Sequence, residues 1–187
     1  MTDAHTAGRR KFVLDTPPLY HFALAERLDV LQDLLLQDEC WTTCVVTGEL
    51  KERAEESEQP LLLDAVGLEW LRVSALNESM TEIRCFLRWV ETVGRDDRHL
   101  GEASVFAVAE LCDGVAITDD GDARRVAKKH GIEAHGTIWL LAQACRQGKM
   151  TDVAAGNVIN LLRHTGHRLP CTGEEFPAFA RRHGLLP

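Results

Sequence analysis

The sequence lacks any uninterrupted apolar run of about 18 residues, the length that predicts a membrane-spanning helix. Residues 1–15, MTDAHTAGRRKFVLD, contain no long apolar core after their basic pair, so they do not predict a secretory signal. The chain also lacks internal repeats, low-complexity tracts and a clear linker. We therefore expect a cytoplasmic protein with no membrane partner.

Cysteine patterns typical of zinc sites are also missing. The six cysteines are scattered along the chain. CWTTC has a three-residue gap and no matching second pair, and HTGHRLPC offers His164, His167 and Cys171 without an evident fourth ligand. A chain of 187 residues with 45% apolar residues can form a core without disulfides. We therefore expect reduced thiols and no zinc centre.

An excess of positive charge is absent as well. The chain has 21 basic and 29 acidic residues and a net charge of −8 at pH 7, whereas nucleic-acid-binding proteins usually carry a basic face. Any phosphate contact must therefore come from a local patch. The helix predicted at DDGDARRVAKKHG offers one: Arg124 with Lys128, and Arg125 with Lys129, lie at i, i+4 spacing. A solvated helix face whose charges follow the helix dipole is the structural alternative.

Apolar segments of strand and helix character alternate along the chain. Strands are predicted at KFVLD, CWTTCVV, EWLRVSAL, GVAIT and IEAHG. The helix predicted after the first strand runs without a break through PPLYHFALAERLDVLQDLLLQ, and TGELKERAEESEQ is predicted as a helix capped by Thr47. Another ends at Gly94, before the polar loop RDDRHL. The pattern predicts an α/β fold with a parallel sheet flanked by helices on both faces. Residues 1–150 are predicted to form this domain, and residues 151–187 a helical C-terminal extension packed on it.

Acidic residues recur where predicted strands end or helices begin. Asp15, Asp119 and Asp120 follow strands, and Glu49 and Glu102 open helices. Since ligands of open α/β sheets gather at the carboxyl ends of the strands, these five side chains could converge. Each could equally be a simple helix cap. Asp15 and Glu102 lie in apolar surroundings, where a carboxylate needs a neutralising partner, and oxygen-rich clusters recruit Mg²⁺ or Mn²⁺.

Four segments in this order resemble the PIN-domain nucleases, the fold of many toxin ribonucleases of bacterial toxin–antitoxin pairs. FVLDTPPLYHFALAERLDVLQDLL resembles the opening strand and helix of that family, VVTGELKE the segment with its second acid, and LGEASVFAVAELC the helix with its third. AITDDGDARRVAKKHG resembles the T-x-D segment of one subgroup, and GNVINLLRHTGHRLP its helical extension. Pro17 is a departure, because the family usually has a small polar residue there.

The resemblance implies a Mg²⁺- or Mn²⁺-dependent nuclease that hydrolyses phosphodiester bonds, with RNA as substrate. The implied catalytic residues are Asp15, Glu49, Glu102 and Asp120. The implied metal ligands are Asp15, Glu102 and Asp120, assisted by Asp119, and Thr16 and Thr118 would hold a water or a ligand carboxylate. Phosphate contacts are assigned to Arg124, Arg125 and Lys128. The implied partners are RNA, an antitoxin protein if the chain is a toxin, and further copies of the chain in a homo-oligomer.

A second hypothesis is a non-catalytic PIN-like module that binds RNA or protein, with Pro17 as a sign of drift. An aspartate-nucleophile phosphatase is disfavoured because the second aspartate expected after Asp15 is missing. A receiver domain is disfavoured because no lysine follows a late apolar strand.

Overall fold

A five-stranded sheet forms the centre of the computed structural model, which describes residues 9–35, 38–94 and 99–187. The strands are β1 (Lys11–Leu14), β2 (Glu39–Thr43), β3 (Leu71–Ser74), β4 (Val115–Ile117) and β5 (Ala134–His135). Every neighbouring pair is parallel, in the order β3-β2-β1-β4-β5. The predicted parallel α/β fold is confirmed.

Helices occupy most of the connections between strands. They are α1 (Thr16–Leu24), α2 (Leu28–Leu35), α3 (Cys44–Glu56), α4 (Met80–Val93), α5 (Leu100–Cys112), α6 (Gly121–Lys129), α7 (Thr137–Arg146), α8 (Asp152–His164) and α9 (Phe176–Arg182), with a 3-10 helix at Pro60–Ala65. In the described part of the chain, none of them has the length and apolar character needed to cross a membrane.

The core lies around the middle strands of the sheet. Helix α5 contacts β1, β2 and β4, and its residues from Ala103 to Ala109 are all buried. All three residues of β4 are buried as well. A strand covered on both faces needs apolar residues at successive positions, which is why KFVL and VAI lack polar alternation.

Two local predictions were wrong. The long helix predicted after Asp15 is two helices, because the chain turns between Leu24 and Leu28 with Glu26 at a φ of 53°. Helix α3 begins at Cys44, and its cap is the Thr43 hydroxyl, which accepts a hydrogen bond from the Val46 amide.

Thr47 lies inside helix α3 and donates to the Cys44 carbonyl. The 3-10 helix was not predicted. Gly94 ends α4 as predicted, but residues 95–98 of the predicted loop lie outside the described residues.

The C-terminal segment packs back onto the domain. Helix α8 contacts α7, and α9 contacts α8. The two backbones touch where Gly156 of α8 meets Gly173: a Cβ built at residue 156 would lie 2.6 Å from the Gly173 carbonyl oxygen. Only glycine permits this approach without moving backbone. The division at residue 150 stays a prediction.

Gly156→Ala should therefore destabilise the protein, because the added methyl group meets backbone that cannot rotate away. We expect a loss of about 1–3 kcal/mol in the free energy of unfolding, measured by urea denaturation. The matched control is Gly48→Ala in α3, where an added Cβ meets nothing within 4 Å. That change should be neutral or stabilising by up to about 1 kcal/mol. Equal effects of both substitutions would contradict the close packing of α8.

Candidate active site

The ends of β1 and β4 place most of the predicted acids on one edge of the sheet. Asp15 follows β1, and Asp119 and Asp120 follow β4, its parallel neighbour. The Asp15 amide donates to the Ile117 carbonyl at 3.0 Å, which fixes the two strand ends against each other. Glu102 lies in the first turn of α5 as predicted, whereas Glu49 does not open its helix: α3 begins at Cys44, which places Glu49 in the second turn.

Asp15 is a buried carboxyl group with an unpartnered oxygen. It is 2% exposed, and its Oδ1 accepts a hydrogen bond from the Thr16 amide at 2.8 Å. Its Oδ2 is buried, and no described residue bonds to it. Burial, together with the charges of Glu102 and Glu49, raises the pKa of Asp15 from 3.8 to about 8, although hydrogen bonding by the Thr118 side chain and the Thr16 amide acts in the opposite direction. An ionised Asp15 therefore lacks a neutralising partner among the described residues.

Glu49 is held between Thr16 and Gly101. The Thr16 hydroxyl donates to Glu49 Oε2 at 2.5 Å. A Cβ built at residue 101 would lie 2.7 Å from Glu49 Oε1, so the carboxylate occupies space left by the missing side chain of Gly101. The sequence analysis missed Gly101. Its one signal was a glycine directly before Glu102, at the start of an otherwise apolar helix.

Glu102 interacts electrostatically with two of the other acids. Its pKa is raised mainly by burial and also by the charges of Glu49 and Asp120, while its own backbone and His99 oppose the shift. His99 Nδ1 lies 4.0 Å from Glu102 Oε2. Since Asp15 senses Glu102 and Glu49, and Glu102 senses Asp120, the four predicted catalytic acids form one electrostatic cluster.

Asp120 combines this position with a structural role. Its Oδ1 caps α6 by accepting hydrogen bonds from the amides of Asp122 at 2.7 Å and Ala123 at 2.8 Å. Asp120 is therefore a helix cap through its Oδ1, as the structural alternative expected. Its charge also raises the pKa of Glu102.

The Asp119 carboxylate has other partners. Its Oδ1 accepts from the Thr137 amide at 2.8 Å and its Oδ2 from the Thr137 hydroxyl at 2.6 Å, and His167 Nε2 lies 3.1 Å from Oδ2. Burial acts to raise the pKa of Asp119, but His167 and Thr137 outweigh it and hold that pKa below its ordinary value. Both Asp119 oxygens thus have contacts within the protein, and the assisting role of Asp119 as a metal ligand stays a prediction. No pattern in the sequence indicated that Thr137 and His167 would contact the Asp119 carboxylate.

His167 also connects the extension to α1. Its ring stacks on that of His21, with centroids 3.9 Å apart and planes 10° apart. His21 Nδ1 lies 2.7 Å from the Thr165 hydroxyl. Burial, together with the neighbouring His167, lowers the pKa of His21 from 6.5 to about 4, although Asp119 acts in the opposite direction. Helix α1, which begins beside Asp15, is thus tied to the loop after α8.

The three cations predicted to bind phosphate, Arg124, Arg125 and Lys128, make different contacts in the structure. Arg124 Nη1 donates to the Thr118 carbonyl at 2.7 Å, so this side chain supports the end of β4. Arg125 is exposed and pairs with Asp122. Lys128 is exposed on the same helix. Their contact with phosphate stays a prediction.

The donor chemistry of the acidic cluster fits a hard divalent cation. Its members offer carboxylate oxygens, and Asp15 Oδ2 is buried without a partner. Within residues 9–35, 38–94 and 99–187, however, no three His, Cys, Asp or Glu side chains stand close enough together to hold a metal ion. The fit is therefore one of chemistry and charge.

Fold and site together define a parallel α/β domain with a cluster of carboxylates at the carboxyl edge of its sheet. Residues 11–172 match the family model DUF3368, described as a PIN domain. The match covers more than half of the chain, so the chain belongs to the PIN-domain family. PIN domains are generally nucleases and typically use divalent metals. A search of curated proteins found no match.

The raised pKa of Asp15 predicts how stability depends on pH in the presence of a chelator. Between about pH 4 and 8 the folded protein binds a proton that the unfolded chain releases, so the free energy of unfolding should fall as pH rises through this window. Asp15→Asn cannot ionise and should remove the part of that fall that comes from Asp15, which for a single group is at most about 1.4 kcal/mol per pH unit. Urea denaturation at several pH values measures both slopes.

The matched control is Asp64→Asn, which changes an exposed aspartate of the 3-10 helix. It should leave the slope as in the wild type. If Asp15→Asn also left the slope unchanged, Asp15 would not carry the raised pKa.

Proposed function

We propose that this PIN domain is a divalent-metal-dependent nuclease that hydrolyses phosphodiester bonds of RNA. The observation that carries the proposal is the Asp15 carboxyl group, which is buried with one oxygen unpartnered and whose pKa is raised by burial and by the charges of Glu102 and Glu49. Burying such a group costs free energy unless a cation neutralises it, and a protein retains that cost where function depends on it.

Asp15, Glu102 and Asp120 would hold the cation, and Glu49 would complete the site or position a water. A divalent cation bound there supplies a Lewis acid for the phosphate and makes bound water more acidic. Because Asp15 has a pKa of about 8, binding near neutral pH must displace its proton, so affinity for the cation should rise with pH.

The surrounding residues orient these acids. The Thr16 hydroxyl fixes one oxygen of Glu49, and the amides of Asp122 and Ala123 fix one oxygen of Asp120. These bonds reduce the freedom of each carboxylate before substrate arrives, which is how positioned charge lowers a barrier. The Thr118 side chain, at the end of the neighbouring strand β4, lowers the pKa of Asp15 by hydrogen bonding and so favours its ionised form.

Pro17 is compatible with this function. It lies in the first turn of α1, where a backbone N–H would have no partner within the helix. The proline therefore favours the helix start that follows Asp15. A toxin role, an antitoxin partner and a homo-oligomeric state stay predictions from the family resemblance.

Purified protein should cleave RNA with Mg²⁺ or Mn²⁺ and lose that activity in EDTA. Asp15→Asn and Asp120→Asn should each slow cleavage by at least about a hundredfold, since each removes a charge needed at the reacting phosphate. Labelled RNA resolved on gels measures the rates. Equal cleavage in EDTA would contradict metal dependence, and RNA binding without cleavage under any metal would support the non-catalytic module.

The Asp120 variant separates the cap from the charge. Asparagine caps helices about as well as aspartate, so the melting temperature without metal should stay near that of the wild type. Saturating Mn²⁺ should stabilise the wild type by about 2.7 kcal/mol at a hundredfold excess over Kd, and the variant by much less. An equal response of both proteins would exclude Asp120 from the site.

Gly101→Ala tests the position of Glu49. The added methyl group meets the end of a flexible side chain, so it should displace the Glu49 carboxylate with little change in the melting temperature. We expect cleavage to fall about as far as in Glu49→Gln, and the double variant to be no slower than either single one. Full activity of Gly101→Ala would show that the observed position of Glu49 is not required.

A further inference from the structure

A groove with cationic and aromatic walls lies beside the acidic cluster. It measures about 340 Å³ and runs between the end of β5, the start of α7 and the C-terminal segment. The residues that matter here are Arg124, His135, Trp139, Arg168, Phe179 and His183. Three of them come from the extension, which therefore supplies one wall of the groove.

The groove is suited to an anion. Asp119 also lines it, but the oxygens of that carboxylate are engaged by Thr137 and His167. A second cavity of about 700 Å³ shares Arg124 and His135 with the groove and adds Arg125 and Lys128. Among the described residues, the one acid that lines it, Glu133, is bonded to His135 at 2.9 Å, and Arg125 pairs with Asp122, which leaves Arg124 and Lys128 as its other cations. The two cavities form a local basic surface on a chain of net charge −8.

Flat rings accompany the cations. The His135 ring stacks on the Trp139 ring, with centroids 3.9 Å apart and planes 4° apart. The ring centroids of Phe179 and His183 are 4.3 Å apart. Trp139 and Phe179 are only partly buried. A surface that binds single-stranded nucleic acid combines cations, which contact the phosphate backbone, with aromatic rings, on which bases stack. A surface that binds an acidic peptide needs the cations but not the rings.

The groove and the acidic cluster are connected through the residues that follow β4. Arg124 donates to the carbonyl of Thr118, the residue that acts on Asp15. Asp119 lines the groove, and the next residue, Asp120, belongs to the cluster. Consecutive residues after β4 thus contribute to the groove and to the cluster, which would let a strand with its phosphate at the carboxylates extend toward Arg124.

We infer that this groove binds a single-stranded segment of RNA that flanks the cleaved phosphate, with the extension as part of the binding surface. The inference rests on the proposed function, because it places the cleaved phosphate at the acidic cluster. The exposed Arg168 would contact a phosphate, and Trp139 would stack on a base.

The test measures binding of a labelled single-stranded RNA in Mg²⁺ by fluorescence anisotropy, with every variant built on Asp15→Asn to prevent cleavage. Arg168→Ala should lower the slope of log K against log salt by about 0.7, which corresponds to the loss of one phosphate contact.

Trp139→Leu should weaken binding about tenfold, whereas Trp139→Phe, which keeps a ring, should weaken it much less. Arg182→Ala is the matched control, since Arg182 is exposed beside His183 and does not line the groove.

The outcomes separate this inference from the proposed function. An unchanged salt slope in Arg168→Ala, with wild-type protein still cleaving RNA, overturns the groove and leaves the nuclease standing. The expected slope change, with wild-type protein never cleaving, supports the groove and overturns the nuclease. Competition by a polyglutamate peptide as strong as that by RNA, with Trp139→Leu without effect, would assign the groove to a protein partner and overturn the inference. Melting curves of each variant confirm that it is folded.

Discussion

Burial of the Asp15 carboxyl group beside other negative charges at the end of β1 is the constraint on which the site depends. Asp15 is buried in apolar surroundings, and Glu102 and Glu49 add negative charge to that position. In a medium of low polarity such charges interact far more strongly than in water. Under the proposed function, a proton on Asp15 or a bound cation would each relieve this unfavourable electrostatic energy, so the pKa of Asp15 and the affinity for a divalent cation would be linked.

The surrounding fold keeps these acids together in spite of that unfavourable electrostatic energy. Asp15 is fixed by the hydrogen bond between its own amide and the Ile117 carbonyl, so its place is set by the pairing of two strands. Glu49 is fixed by Thr16 and by the space above Gly101. Backbone pairing and packing thus supply the free energy that the carboxylates alone would lack.

The sequence predicted the parallel sheet and the acids at its edge, because buried strands and the helices between them leave strong periodic patterns. It did not predict the turn at Glu26, since the leucine spacing continues from Leu24 through Leu28 as if one helix persisted. The sequence also did not predict the contacts of Asp119 with Thr137 and His167. Whether Asp119 faces Asp120 or His167 is decided by tertiary packing of the extension, which no local pattern records.

The contact between Asp119 and His167 has a consequence for synthesis of the protein. Chains emerge from the ribosome from the N-terminus, and structure forms as soon as its parts are available. Strand β4 and its carboxylates appear well before residue 167, whereas Asp119 gains its histidine partner only when the loop after α8 is made. The edge that carries the acids is therefore among the last parts of the molecule to be completed, although its central strand is the first to be translated.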